Sequence, residues 1–216
     1  MHKGVRIQPT AEVSEQAEIG EGTSIWHQVQ VREGSRIGRN CILSKGVYVD
    51  AGVILGDNVK VQNYVSIYHG VTIEDGVFCG PHCVFTNDKH PRAINADGSL
   101  KAADDWESSS TLVKRGASIG ANAVIVCGVT VGEWAMIGSG AVVSRDVPDH
   151  GLVWGNPARL HGFVCPCGRR LEEDEEARKQ GDKGTRGQGD GETVRLQCSE
   201  CGARVEVLEL DLEGVK

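Results

Sequence analysis

The sequence predicts an all-β chain built as a parallel β-helix of about six coils, with one long excursion loop and a small cysteine-rich tail. Three observations carry this expectation. Apolar residues recur at every sixth position, the rhythm is interrupted once for 27 residues, and four cysteines gather near the end of the chain.

The rhythm runs through Val13, Ile19, Ile25, Val31, Ile37, Leu43, Val49, Leu55, Val61, Ile67, Ile73, Cys79 and Phe85. It resumes at Val113, Ile119, Ile125, Val131, Ile137 and Val143. Two positions earlier the residue is small or β-branched, as at Ala17, Thr23, Val29, Ser35, Cys41 and Cys83. A Gly follows the apolar residue at Gly20, Gly38, Gly56, Gly80, Gly120, Gly132 and Gly138, where it is expected to supply unusual backbone angles at a corner. A period of six fits neither an amphipathic helix nor a half-buried strand, whereas it is a signature of the parallel β-helix. Six residues make one short strand and a corner, and three such sides close a coil of about eighteen residues. Successive coils then stack about 4.8 Å apart. All nineteen sampled positions are apolar, which argues against an antiparallel sandwich of short strands. An aliphatic residue followed by Gly and four variable residues resembles the left-handed form, an exception to the usual crossover hand.

Along the chain, residues 1–12 read as a lead-in strand, 13–85 as about four coils and 113–147 as about two more. The excursion spans 86–112 and is polar, with Pro91 and Trp106. A structureless loop of that length is uncommon in a compact domain and is usually functional, so it is expected to fold over something. The β-helix domain is placed at 1–162 and the tail at 163–216. Within the tail, residues 172–192 hold eight acids, four bases and five Gly, and read as a mobile acidic loop.

Composition excludes some classes. A net charge of −7 argues against a nucleic-acid surface. No segment approaches the roughly 20 apolar residues of a membrane span. Met1-His2-Lys3-Gly4 carries no apolar signal core, so a cytoplasmic location is expected. The flat faces and open ends of a solenoid invite self-association.

The eight cysteines fall into two groups. Cys41, Cys79 and Cys83 occupy inward or corner positions, where a small apolar thiol packs well. Cys127 falls in an outward phase and has no assigned role. Cys165-Pro166-Cys167-Gly168 and Cys198-Ser199-Glu200-Cys201-Gly202 resemble a zinc ribbon. Cys165, Cys167, Cys198 and Cys201 would form a closed structural zinc site, able to stabilise a segment too small to fold alone. The first pair is spaced C-x-C rather than C-x2-C, so His161 is an alternative ligand.

Three runs narrow the function: Val61-Gln62-Asn63-Tyr64-Val65-Ser66-Ile67-Tyr68, Val77-Phe78-Cys79-Gly80-Pro81-His82, and Phe85-Thr86-Asn87-Asp88-Lys89-His90-Pro91-Arg92-Ala93. With Arg115-Gly116-Ala117-Ser118-Ile119-Gly120 and Gly155-Asn156-Pro157-Ala158, they resemble the hexapeptide-repeat N-acetyltransferases that act on the 3-amino group of UDP- or dTDP-linked sugars. The resemblance covers residues 5 to about 162. It implies a homotrimer with active sites between subunits and transfer of acetyl from acetyl-CoA to a nucleotide-linked amino sugar used for surface polysaccharide. It also implies that late-coil backbone at Ala117, Ala135 and Ser139 runs along the pantetheine arm. Arg145 and Arg159 are then placed to pair with the coenzyme's phosphates.

The repeat supplies a ruler of its own. Asn87 lies eighteen residues after His69, and an unbroken register would stack them on one outward column about 4.8 Å apart. Asp50, Tyr68 and Thr86 share the adjacent column, and Tyr64 and His82 are one coil apart. His69 is the first candidate general base, since a pKa near 6.5 suits the role, and His90 in the loop is the second. Asn87 is expected to orient the amine. Tyr68, His82, Asp88, Lys89 and Arg92 are expected to bind the acceptor.

Three rival readings differ in class. A hexapeptide O-acetyltransferase would differ mainly in its acceptor pocket. A zinc carbonic anhydrase on the same fold needs three converging His, which the spacing of His69, His82 and His90 does not match. A non-enzymatic scaffold would bind no acetyl-CoA.

Overall fold

The structure, a computed structural model, describes residues 4–102, 105–106, 108–174, 193–209 and 211. Each hexad forms a two-residue strand, such as Ser24–Ile25, Gln30–Val31 and Arg36–Ile37. Each strand pairs in parallel with the one eighteen residues on: Ser24↔Ile42, Gln30↔Tyr48, Arg36↔Ile54. Three flat sheets result, with nine, seven and six strands. Eight strands of the largest sheet run parallel, so the prism has about eight turns rather than six. The difference lies at the two ends. Arg6–Ile7 and Glu12–Val13 already pair with Ser24–Ile25 and Gln30–Val31, so the supposed lead-in is the first coil. At the other end, Gly151–Gly155 pairs with Met136–Ile137. Ile7 keeps the six-residue phase, one hexad before Val13, and is 44% exposed at the open end.

The sampled apolar residues from Ile19 to Val143 are buried and form one continuous core along the axis. Burying each such side chain stabilises the fold by about 1.5–3 kcal/mol. Buried Thr23 and Ser35 are satisfied internally: Thr23 Oγ1 donates to the Gly38 carbonyl, and Ser35 Oγ to the Arg32 carbonyl at 2.7 Å.

The Gly after the apolar residue plays a different part from the one expected. Gly20 and Gly38 are absent from the left-handed residues, which lie three positions after the apolar residue, as at Gln28, Asn40, Asn58, Tyr64 and His82. A Cβ on Gly20 would sit 2.5 Å from the Gly38 carbonyl carbon, so this column needs Gly for space between coils.

The excursion is shorter and more ordered than 86–112 suggests. The register offset jumps from 18 at Ser66↔Val84 to 40 at Phe78↔Ser118, so 22 residues are inserted. Thr111–Val113 is already coil, paired to Val71–Ile73. Asp88 bridges Ser108 and Ile94 bridges Leu100, both antiparallel, making the insertion a tongue with a narrow neck.

In the tail, Glu172–Glu173, Thr193–Gln197 and Arg204–Leu208 form an antiparallel sheet around a second buried cluster with Phe163, Leu171, Leu196 and Val207. The expected acidic loop does not hold at its start. Glu172–Glu173 is strand and Asp174 is buried, paired to Arg204 at 3.1 Å; residues 175–192 lie outside the described residues. His150 and Val164 tie tail to prism twice: the Val164 N–H donates to the His150 carbonyl at 2.8 Å, and His150 Nδ1 to the Val164 carbonyl at 2.9 Å. Among the described residues no helix is long and apolar enough to cross a membrane.

Candidate functional site

The tongue leaves the prism through a neck that two threonines hold to the next coil. Thr86 Oγ1 accepts the Cys127 N–H at 3.0 Å, and Thr111 Oγ1 accepts the Gly128 N–H at 3.2 Å. The Ser109 N–H donates to the Asn87 carbonyl at 3.3 Å, closing the neck. This arrangement corrects the outward placement of Cys127, which is fully buried because the neck covers its corner. Lys89 lies beside Gly128, where an added Cβ would come within 2.9 Å of Nζ.

His69 sits at this root. The next residue, Gly70, accepts the Thr111 N–H at 3.1 Å, and a Cβ on it would lie 3.7 Å from the Ser109 carbonyl oxygen. The imidazole lies over Gly52, and His69 Nδ1–H donates to the Ala51 carbonyl at 2.8 Å. A carbonyl only accepts, so Nδ1 carries the proton and Nε2 is left as the lone-pair nitrogen. The exposed ring is thereby oriented, and its basic atom is free to take a proton from a substrate.

Asp50 organises the ground beneath. Its carboxylate accepts the His69 N–H at 3.2 Å, the Ala51 N–H at 2.8 Å, the Tyr48 hydroxyl at 2.9 Å and Arg32 at 3.3 Å. Burial raises the Tyr48 pKa, keeping the phenol protonated as a donor. The Tyr48 ring packs at 5.6 Å against that of Tyr68. Sequence reasoning placed Asp50 on the column beside His69 but assigned it no role. The eighteen-residue spacing from Arg32 to Asp50 was the available signal, since it stacks opposite charges on adjacent coils.

The remaining expected residues divide. The eighteen-residue ruler is observed through Ile67↔Phe85, and Thr86 still follows the coil, donating to the Ile125 carbonyl at 3.0 Å. Asn87, half-buried, begins the neck, and Asp88 Oδ1 accepts the His90 N–H at 2.6 Å. His90 and Arg92 are exposed on the tongue, Arg92 donating to the Pro91 carbonyl. Ala117 and Ala135 have fully buried side chains, so only their backbone can meet a ligand. Their N–H groups donate to the Lys114 and Gly132 carbonyls at 3.3 and 3.2 Å, and their carbonyls accept the Phe78 and Ser118 N–H groups at 3.0 and 2.8 Å, so both backbone groups are already paired within the prism. Ser139, Arg145 and Arg159 are exposed on or beyond the late coils. Arg159 pairs across the antiparallel turn with Trp154.

The four tail cysteines converge. Their sulfurs all lie within 4.8 Å of one another, with Cys165 to Cys167 at 3.1 Å, Cys165 to Cys201 at 3.4 Å and Cys167 to Cys198 at 3.7 Å. Tetrahedral zinc with Zn–S of about 2.3 Å requires sulfurs roughly 3.8 Å apart, so the set fits. The Cys201 backbone N–H lowers the Cys198 pKa to about 7, whereas burial raises that of Cys165 to about 12. His161 is not a member: its ring stacks on Trp154 at 3.8 Å and 4°. The short C-x-C pair closes the site without it, because the Gly168 N–H returns to the Cys165 carbonyl at 2.8 Å in a tight turn.

Comparison with known proteins agrees with this geometry. The family described as bacterial transferase hexapeptide (six repeats) matches residues 16–51, 52–87 and 110–145, half of the chain. The chain belongs to this family. The gap in the match, 88–109, coincides with the tongue. Over 62 residues the chain is 60% identical to a dTDP-3-amino-3,6-dideoxy-alpha-D-galactopyranose 3-N-acetyltransferase of Aneurinibacillus thermoaerophilus, covering 29% of this chain and 32% of that protein. It is 32% identical over 138 residues to serine acetyltransferase 4 of Arabidopsis thaliana, covering 63% of this chain and 30% of the relative. The chain thus spans about a third of the length of the curated relatives it matches. Among solved structures it is similar to the acetyltransferase domain of PglB from Neisseria gonorrhoeae in complex with acetyl coenzyme A, at 24% identity and TM-score 0.44, over 74% of this chain and 58% of that one.

Proposed function

We propose that this hexapeptide-family chain is an acetyl-CoA-dependent N-acetyltransferase acting on the amino group of a UDP- or dTDP-linked 3-amino sugar. What supports the reading most is the 62-residue stretch 60% identical to a dTDP-3-amino-sugar 3-N-acetyltransferase. The root of the tongue suits the chemistry. The neutral amine attacks the thioester carbonyl, the C–S bond breaks, and the coenzyme leaves as its thiol. His69 Nε2 takes the proton that the amine loses and returns it to the departing thiolate sulfur. Because the amine attacks directly, no covalent enzyme intermediate is needed. A positioned base contributes about 10²–10⁴-fold. In this reading Asn87 orients the amine, and Tyr68, His82, Asp88, Lys89 and Arg92 surround the acceptor. His90 would serve as base only if His69 did not. Ala117, Ala135 and Ser139 run along the pantetheine, and Arg145 and Arg159 meet the phosphates. The working form is a cytoplasmic homotrimer with sites between subunits.

Residues 1–162 are then the catalytic unit, and 163–216 a ribbon holding one structural zinc through Cys165, Cys167, Cys198 and Cys201. With four thiolates filling the shell, the metal would staple the tail and leave no open position for chemistry. Metal analysis should find one zinc per chain, lost in the Cys198→Ser, Cys201→Ser double variant. A purified protein with its thiols reduced and no zinc would refute this.

Incubation with acetyl-CoA and a panel of UDP- and dTDP-amino sugars, following thiol release, tests the activity. Turnover on at least one 3-amino sugar is expected. No turnover on any, with no coenzyme binding by calorimetry, overturns the reading.

A further inference from the structure

We propose that Asp50 is a positioning residue for His69: its carboxylate, which grips backbone rather than the ring, holds the imidazole in the tautomer that leaves Nε2 free. The inference rests on His69 being the base of the acetyl transfer, and it names what keeps that base in working form.

Ala51 and His69 are joined twice. The ring donates from Nδ1 to the Ala51 carbonyl at 2.8 Å, and the Asp50 carboxylate accepts the N–H groups of the same two residues. The Ala51 N–H reaches Oδ1 at 2.8 Å and the His69 N–H reaches Oδ2 at 3.2 Å. One side chain thereby sets the spacing of two coils at the point where the ring bridges them. The ring is exposed and rests over the bare backbone of Gly52, so the Ala51 carbonyl carries the choice of tautomer. A free imidazole in water favours the other form, with the proton on Nε2. That form would present a donor where the base is needed.

The position requires a carboxylate. The Asp50 side chain is only 13% exposed. The Ala51 N–H, the His69 N–H and the Arg32 guanidinium can only donate, and between them they meet both oxygens. An amide in this place would have to turn its own NH2 against one of them. Other corner carboxylates do less. Asp57, Asp75 and Asp149 each accept one backbone N–H from the preceding coil, those of Arg39, Asp57 and Glu133. Asp50 reaches forward instead, to the coil that carries His69. Where a single N–H is held, as at Asp75, an amide can substitute, because its oxygen still accepts.

Asp50→Asn, Asp50→Ser and the control Asp75→Asn are compared with the parent as full chains. Nitrogen NMR of histidine-labelled protein, in mildly alkaline buffer where imidazole is neutral, reads the tautomer; the signal missing from His69→Gln assigns it. The parent should carry the proton on Nδ1. Both Asp50 variants should show the Nε2–H form or a mixture, and Asp75→Asn should match the parent. On a nucleotide-linked amino sugar, kcat should fall about 10- to 100-fold in the Asp50 variants, with KM for acetyl-CoA unchanged. Should Asp50→Asn fail to fold, Asp50→Ser decides, since it removes the carboxylate without setting an NH2 against His69. A parent already in the Nε2–H form, Asp50 variants that keep the Nδ1–H form, or an equal change in Asp75→Asn would overturn the positioning. So would a lost tautomer with kcat at the parent's value. A parent whose tautomer depends on Asp50 but which acetylates no amino sugar would leave the positioning standing and remove the acetyltransferase reading.

Discussion

The prism and its tongue are built on opposite principles. In the prism most hexads repeat one solution: an apolar residue inward, a left-handed residue at the corner, and a ladder bond to the next coil, eighteen residues away except across the tongue. Among its described residues the tongue buries almost nothing. Ile94, Leu100 and Trp106 are all exposed, and its order comes from two antiparallel bridges and short polar turns such as the Ser99 N–H on Asp97 at 2.9 Å. Stability is therefore concentrated where the pattern repeats, and chemistry where it breaks. His69, oriented by a coil carbonyl yet set against the neck, stands where the two regions meet.

Replacing residues 89–107 by a short Gly-Ser turn between Asp88 and Ser108 separates the regions most sharply. Acetyl transfer should fall by more than about 10³-fold, while the thermal midpoint stays within a few degrees of the parent, read by activity assay and circular dichroism. A deleted variant that unfolds would show that the tongue supports the prism after all.

Substitution at the junction comes next. His69→Gln should lower kcat/KM by about 10²–10⁴-fold and alter the acidic limb of the pH–rate profile, where a general base is lost by protonation, with stability unchanged. An unaltered profile would discard His69 as the base.

A purely prismatic change should do the reverse. Leu43→Ala, at a fully buried position, is expected to cost about 2–5 kcal/mol in denaturant unfolding. Activity below the shifted midpoint should remain near that of the parent. Loss of activity without loss of stability would contradict the separation.

Thr86→Val gives the smallest effect and probes the seam. It strands the Cys127 N–H and should cost about 1–3 kcal/mol, with faster amide exchange at 86–88 and 108–111. If exchange rises throughout the prism instead, neck and coil are one cooperative unit.

Much of the fold was legible because a period of six has one compact solution, and the buried residues are the ones the rhythm sampled. The ends were less legible. Ile7 keeps the six-residue phase but stands alone before Val13, and after Val143 the phase slips, since Asp149 falls on it while Val153 pairs with Ile137. The role of Gly20 and Gly38 was also hidden, since composition cannot separate a Gly chosen for φ from one chosen for the approach of the next coil. Of the site, His69 was found by its place on the ruler. Its tautomer and the four donors converging on Asp50 depend on contacts across coils that no linear spacing specifies. Cys127 was misplaced for the same reason: its phase is outward, and the neck that covers it comes from far along the chain.

By itself, then, the sequence determined the prism, its eighteen-residue repeat, the position of its interruption and the four cysteines of the tail. Those properties follow from local periodicity and residue type. The tertiary structure alone decided which imidazole nitrogen is free, that the tongue closes at a threonine-held neck, and that the four sulfurs meet without His161. Each depends on where backbone donors and acceptors from separate coils come to lie, which only the folded chain defines.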